Sequence, residues 1–308
     1  MMVDAHAHIF QKVDSFTGSG ELKSIRFGKV KKATGEIFRL LPPSFGETCF
    51  SPETLLEYMD WMGIDKAILL QGTLYGFYNE YVADAVARWP DRFTGCALVD
   101  PMIQHATKVL KYAVGELGFR ALKFECSEVF GLAGIHPEMR IDSSNWMAIF
   151  EEARRYKLPL IFDTGMPGTV GYQVESLRKL TESYPDLNVV VCHLGVPYPE
   201  LEDNTKLYAN WKELISLGKN HNVWIDIASL PALFAKQEYP YLEAQKYLKL
   251  VYEMVGSTRL LWGSDIPGIL TQVTYKQCLD FIRNNCSFLS EEEKRNILGE
   301  NAKRLFKL

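Results

Sequence analysis

The sequence lacks several things, and each absence excludes a class of protein. It has no run of about 18 consecutive apolar residues, so it offers no membrane-spanning helix. It has no large basic cluster. Lys29, Lys31 and Lys32 form the one short basic run, read as a solvated loop, and the formal net charge is -4, so no nucleic-acid partner is expected. The six cysteines (Cys49, Cys96, Cys126, Cys192, Cys278, Cys286) show no close pairing. That spacing argues against a disulfide framework and for reduced core thiols in a cytoplasmic protein. Asp4, His6 and His8 interrupt any apolar stretch at the start, so no secretory signal is expected. There is no low-complexity tract and no repeat beyond an alternation of short apolar runs with longer helical patterns.

Apolar material is plentiful. Hydrophobic residues make up 47% of the chain, with 17 Phe, 15 Tyr and 6 Trp, enough for a large core. Short apolar runs at 3–8, 66–71, 93–99, 119–125, 158–163, 188–193, 222–227 and 259–264 read as strands. Ala67-Ile68-Leu69-Leu70 and Val189-Val190-Val191-Cys192 are almost continuously apolar, as strands buried on both faces must be. Helical patterns fall between them at 52–62, 81–89, 104–117, 144–156, 172–184, 205–217 and 241–255. Ser51-Pro52-Glu53 has the order of a helix start: an N-cap serine, proline in the first turn, then an acid at the positive end of the dipole. Eight strand–helix units predict an α/β protein, a (β/α)8 TIM barrel in a single domain over 1–308. A long insertion follows the first strand. Residues 11–50 read as a loop over the barrel mouth with room for a small hairpin, and residues 126–143 as a second mouth loop; loops this long inside a domain usually serve function.

The strands end in polar residues. His6 and His8 end the first, Lys123 and Glu125 the fourth, Asp163 the fifth and His193 the sixth; Asp226 lies in the seventh and Asp265 just past the eighth. In such a barrel these ends converge on one mouth, where enzymes of the fold place their chemistry. Two histidines one residue apart on a strand point the same way, and neutral imidazoles are good ligands for a divalent transition metal. Two imidazoles on one apolar strand have little structural rationale otherwise. Asp226 reads instead as a cap or a core hydrogen-bonding group. His105 and His136 read as surface or loop residues, and His221 sits at the wrong end of its strand.

Four segments fall at strand ends: Val3-Asp4-Ala5-His6-Ala7-His8, Gly118-Phe119-Arg120-Ala121-Leu122-Lys123, Val191-Cys192-His193-Leu194-Gly195 and Gly263-Ser264-Asp265-Ile266-Pro267. Together they resemble the amidohydrolase-related family, the branch that holds aminocarboxymuconate-semialdehyde-type decarboxylases and several sugar and aromatic lactonases. Asp91-Arg92-Phe93-Thr94-Gly95 and Asn301-Ala302-Lys303-Arg304-Leu305 fit the same pattern, so the resemblance spans nearly the whole chain. It implies a distorted barrel with one or two divalent ions, and often a homodimer. By the same resemblance, His6 and His8 are metal ligands, and His193 is either a second ligand or the base or electrophile beside the substrate. Asp265 binds metal and accepts a proton from water.

The chain departs from the family pattern twice. The fifth strand ends in Asp163 where decarboxylases carry a histidine, and the stretch from Leu160 to Pro197 looks more like the lactonase side. The fourth strand reads Lys123-Phe124-Glu125 where Lys-x-His is common. Glu125 would then either replace the missing imidazole as a ligand or pair with Lys123 at the mouth. A carbamylated Lys123 bridging two ions is a further alternative. Two histidines with Glu125 and Asp265 give a mixed N/O shell suited to zinc, manganese or iron. The expected activity is metal-assisted hydrolysis of a small cyclic ester or related carbonyl compound. Asp265 acts as base, and His193 stabilises the oxyanion. Arg26, Lys29 and Lys123 are candidates for holding a substrate anion, with Asp163 also at the substrate. The competing expectation is non-oxidative decarboxylation of a small aromatic or dienoic acid.

Overall fold

The computed structural model describes residues 1–308. Strand β1 (Val3–Ala7) is followed by four short strands, β2 (Asp14–Thr17), β3 (Gly20–Ile25), β4 (Lys29–Lys32) and β5 (Ile37–Arg39). The alternation then resumes with β6 (Lys66–Leu69), β7 (Phe93–Leu98), β8 (Ala121–Glu125), β9 (Leu160–Asp163), β10 (Val189–Val191), β11 (Val223–Asp226) and β12 (Leu260–Leu261). β1 and β6 to β12 make an eight-stranded parallel sheet in chain order. It closes into a barrel where the end of β12 meets β1: the Ala5 amide donates to the Trp262 carbonyl at 3.0 Å and the Asp265 amide to the His6 carbonyl at 2.7 Å. The chain is therefore an α/β TIM barrel, as its alternating pattern predicts.

The barrel interior is packed, not hollow. Ala5, Ile68, Cys96, Ile161, Val190 and Trp224 fill it, and Leu305 and Phe306 of the last helix (Asn301–Phe306) plug the end away from the site. A larger apolar shell lies between strands and helices. Full burial of each Leu, Ile or Phe there contributes roughly 1.5–3 kcal/mol. The helix over Pro52–Met62 starts as expected, with the Thr54 amide donating to Ser51 Oγ at 3.2 Å, and it stops at Gly63 in the left-handed region at φ 73°. All six cysteines are unpaired; five are buried and Cys49 is partly exposed.

The insertion differs from expectation. Residues 14–39 are not a loop with a hairpin but a four-stranded antiparallel sheet, β2 to β5. Alternation explains it: Leu22 and Val30 are fully buried on one face while Lys23, Lys29 and Lys31 point away. Gly28 holds the turn between β3 and β4 at φ 70°, and a Cβ there would lie 2.0 Å from the Leu41 carbonyl oxygen. The second mouth segment contains a short helix, Leu132–Ile135. The two insertions touch: a Cβ on Gly18 would meet the Gly134 Cα at 2.6 Å, and the Phe38 and Phe130 rings lie 5.8 Å apart. Together they raise one wall of the barrel mouth. No helix is long and apolar enough to cross a membrane.

Candidate active site

The site begins with the seam between β1 and β12. The buried Asp4 carboxylate accepts from the His6 amide at 3.1 Å, the Ser264 amide at 2.8 Å, Ser264 Oγ at 2.6 Å and Tyr275 OH at 2.9 Å. The two Ser264 contacts tie the strand carrying His6 and His8 to the turn carrying Asp265, and the Tyr275 contact adds the helix that follows. Gly263 makes the approach possible, because a Cβ there would lie 2.5 Å from the His6 Cβ. Asp265 itself has φ 65°, a left-handed conformation that L-residues avoid and that functional sites tolerate at a cost on the order of 1–3 kcal/mol.

His6, His8 and Asp265 then converge, with one ligand atom from each lying within 4.8 Å of the others. His8 Nδ1 lies 2.9 Å from the Leu70 carbonyl, which can only accept, so Nδ1 carries the proton and the Nε2 lone pair faces Asp265 Oδ1 at 3.0 Å. His6 Nδ1 lies 2.5 Å from Asp226 Oδ2, and by the same logic its Nε2 lone pair faces inward, 3.6 Å from Asp265 Oδ1. Burial, together with the nearby Lys123 and His193 charges, lowers the His6 pKa well below the usual imidazole value, so this ring is neutral near pH 7. His6 Nε2 is buried with no hydrogen-bond partner. Two imidazole lone pairs and a carboxylate oxygen thus face one point with no donor among them. Burial opposes the Asp265 charge, but the nearby His193 imidazolium favours the carboxylate and holds the carboxyl well below its ordinary range. This donor set fits a divalent transition ion.

The opposite wall carries a second polar group. β8 and β9 run side by side with Glu125 in register with Asp163. His193 Nε2 lies 3.3 Å from Asp163 Oδ2, and its Nδ1 lies 3.1 Å from the Ala228 carbonyl. Both ring nitrogens therefore face acceptors, which suits an imidazolium. Burial opposes that charge, but Asp163, Asp265 and Asp226 outweigh it and push the pKa up to about 10. Asp163 is held low against its burial by His193, Lys123 and the Gly165 amide. Glu125 is pushed up to about 7 by burial and by Asp163. Lys123 is buried with Nζ 3.5 Å from Cys192 Sγ; burial opposes its charge, but Cys192, Asp163, Glu125 and Asp265 raise its pKa.

A family model described as Amidohydrolase matches residues 3–308. The chain belongs to the amidohydrolase family. It is an enzyme of the hydrolase or decarboxylase kind found there. Solved structures share the fold of this amidohydrolase at low identity. A probable 2-pyrone-4,6-dicarboxylic acid hydrolase from Acinetobacter baumannii with bound citric acid is 19% identical, with TM-score 0.72 over 100% of this chain and 99% of that one. An amidohydrolase from Burkholderia multivorans with bound zinc is 14% identical, with TM-score 0.74 over 100% and 99%. A 2,6-dihydroxybenzoate decarboxylase from Rhizobium is 20% identical, with TM-score 0.59 over 83% and 88%. Dependence on a divalent metal is typical of the family.

The structure brings His6, His8, Lys123, Glu125, Asp163, His193 and Asp265 of this amidohydrolase around one cavity of about 560 Å3. Glu125 stands outside the cluster of His6, His8 and Asp265 ligand atoms; its carboxylate accepts from Ser127 Oγ at 2.8 Å instead. His6 and His193, with Cys192 Sγ, form a second group within 4.8 Å. Arg26 does not reach the cavity: it lies in the turn after β3, its side chain 70% exposed and 3.5 Å from Glu47. Lys29 is likewise absent from the lining.

Three roles escape sequence reading. Asp226 is not merely a core or capping residue, because it grips His6 while also accepting from the Ala228 amide at 2.6 Å. Ser229 Oγ donates to Asp265 Oδ2. Asp4 staples the seam. Asp4 and Asp226, buried acids on strands beside the site, carried a usable signal; Ser229 carried none. His136, by contrast, pairs with Asp100 at 2.8 Å and clamps the second mouth segment.

Proposed function

We propose that this amidohydrolase opens a small cyclic ester with water. His6, His8 and Asp265 would hold a divalent ion, zinc in the first instance as in the Burkholderia relative. Such an ion, when bound, supplies Lewis-acid polarisation of a carbonyl and makes water more acidic. The observation that carries the reading is the buried, unpartnered His6 Nε2 facing the His8 and Asp265 lone pairs.

The chain's own groups divide the remaining work. Asp265, held ionised, takes one proton from the attacking water as its oxygen bonds to the carbonyl carbon. His193, held as an imidazolium, shares its Nε2–H, loosely held by Asp163 at 3.3 Å, with the carbonyl oxygen as negative charge builds there. The ring C–O bond then breaks, and Asp265 returns its proton to the departing ring oxygen. The product is a hydroxy acid, which ionises to solvent. Ser229 holds one Asp265 oxygen, and Asp226 keeps His6 in one tautomer.

A screen of lactones, esters and aromatic carboxylic acids tests the reading, with acid release and carbon dioxide release followed in parallel. Ring opening that disappears in Asp265→Asn supports it. Carbon dioxide release from an aromatic or dienoic acid, with no ring opening, overturns it in favour of decarboxylation.

A further inference from the structure

The cavity is built in two zones. Its floor is polar and buried: His6, His8, Lys123 and His193 are each no more than 9% exposed. Its rim is apolar and open: Val129 is 52% exposed and Met166 47%, with Leu74, Phe130 and Leu233 completing the collar. Val129 and Phe130 come from the second mouth insertion, and Phe130 is backed by Phe38 of the inserted sheet.

The charges lining this space are lopsided. No arginine lines it, Lys123 is the one lysine, and the His193 imidazolium is already paired with Asp163 at 3.3 Å. Lys123 lies in the floor, where Glu125 and Asp163 already act on its charge. Beyond the metal-ligating cluster the lining carboxylates are Glu125, Glu128 and Asp163. Glu128 is pinned at the rim, its Oε1 accepting from the Val170 amide at 2.5 Å. A carboxylate on the substrate, away from the reacting carbonyl, would therefore meet like charges, the apolar collar or the neutral groups of Ser127, Thr169 and Gln272, with no lysine or arginine outside the floor to pair with it. The first two are unfavourable, and no spare cation offsets them.

We propose that the substrate is a ring ester bearing an apolar arm and no carboxylate. Its carbonyl lies over the floor, and its arm lies against Val129, Phe130, Met166 and Leu233. The inference rests on the lactone-opening reading for the position of the ring, and it adds the selection by charge and by arm.

Two measurements on zinc-loaded protein test it. The first compares kcat/KM for δ-valerolactone, δ-decalactone and 2-pyrone-4,6-dicarboxylic acid. The alkyl arm should raise kcat/KM by about fourfold for each methylene that the collar covers, and the dicarboxylate should be the poorest of the three. The second is calorimetric and needs no turnover. Acetohydroxamic acid, octanohydroxamic acid and suberic acid monohydroxamic acid share one metal-binding head. Octanohydroxamic acid should bind tightest, and the terminal carboxylate of the suberic compound should weaken binding at least roughly tenfold relative to it. Met166→Lys, at an exposed rim position, should narrow that gap.

Equal or tighter binding of the carboxylated hydroxamate, or no gain from the octanoyl chain, overturns this inference and leaves lactone opening standing. Failure to open any ring, with the hydroxamate order as stated, overturns lactone opening and leaves the two-zone cavity standing.

Discussion

Replacing Asp226 by asparagine tests how the site is held together. Both Asp226 oxygens act as acceptors, Oδ2 toward His6 Nδ1 at 2.5 Å and Oδ1 toward the Ala228 amide at 2.6 Å. An amide of the same shape has one acceptor and one donor. One of the two contacts must then place donor against donor, or His6 must change tautomer and aim a proton where its lone pair is needed. Removing such a partner from a ligating histidine typically costs 10–100-fold in metal affinity, which is about 1.4–2.7 kcal/mol. Competition against a fluorescent zinc chelator should show that loss. Activity should return in part at high zinc, because the ligand atoms themselves remain. Circular dichroism should be unchanged, since the substitution keeps volume and removes no core contact. Wild-type zinc affinity in the folded variant would refute the claim that Asp226 sets the His6 tautomer.

Further perturbations have directions that follow from the geometry. Asp265→Asn should lower kcat by about 10²–10⁴, the range for loss of a general base, with little change in Tm; turnover within a few-fold of wild type would remove Asp265 from that role. Asp4→Ala leaves the Ser264 and Tyr275 hydroxyls without their buried acceptor, so urea unfolding should show a loss of about 1–3 kcal/mol or more, together with weaker metal binding. Gly263→Ala places a methyl 2.5 Å from the His6 Cβ, so it should weaken zinc binding more than Gly46→Ala, which has open space around it and an ordinary backbone conformation. Away from the site, Asp280 titrates below the usual carboxylate range: burial opposes its charge, but hydrogen bonds from Lys276 and Arg283 win. Its folded pKa is depressed, so its contribution is complete above about pH 4 and is lost as pH falls through the folded value. Asp280→Asn should flatten the acid limb of a stability–pH curve, and a limb of unchanged slope would contradict that pairing.

Much of the barrel is legible from apolar runs alone. All eight barrel strands fall within the segments read from sequence, because a strand buried on both faces needs such a run. The helices Pro52–Met62 and Ser144–Tyr156 keep their expected limits. The inserted sheet was illegible as a sheet because its strands are short and mostly polar, with Leu22 and Val30 as its fully buried anchors. At the site, strand alternation was an incomplete guide. Val190 and Cys192 face the barrel interior, which would turn His193 outward in a regular strand. Left-handed backbone at His193 (φ 56°) and Leu194 (φ 54°) accompanies the departure from strand geometry there. No periodic pattern encodes that turn. The His6–Asp226 contact spans 220 residues, and a single buried aspartate in sequence does not announce its partner.

The central claim is that His6, His8 and Asp265 share one cation. Crystals grown with zinc, and data collected at its absorption edge, test this directly when paired with metal analysis of the same protein. The account predicts an anomalous peak about 2.0–2.2 Å from His6 Nε2, His8 Nε2 and an Asp265 oxygen, and loss of both peak and activity after chelation. Full activity in protein stripped of metal, with no peak among those three side chains, would contradict it.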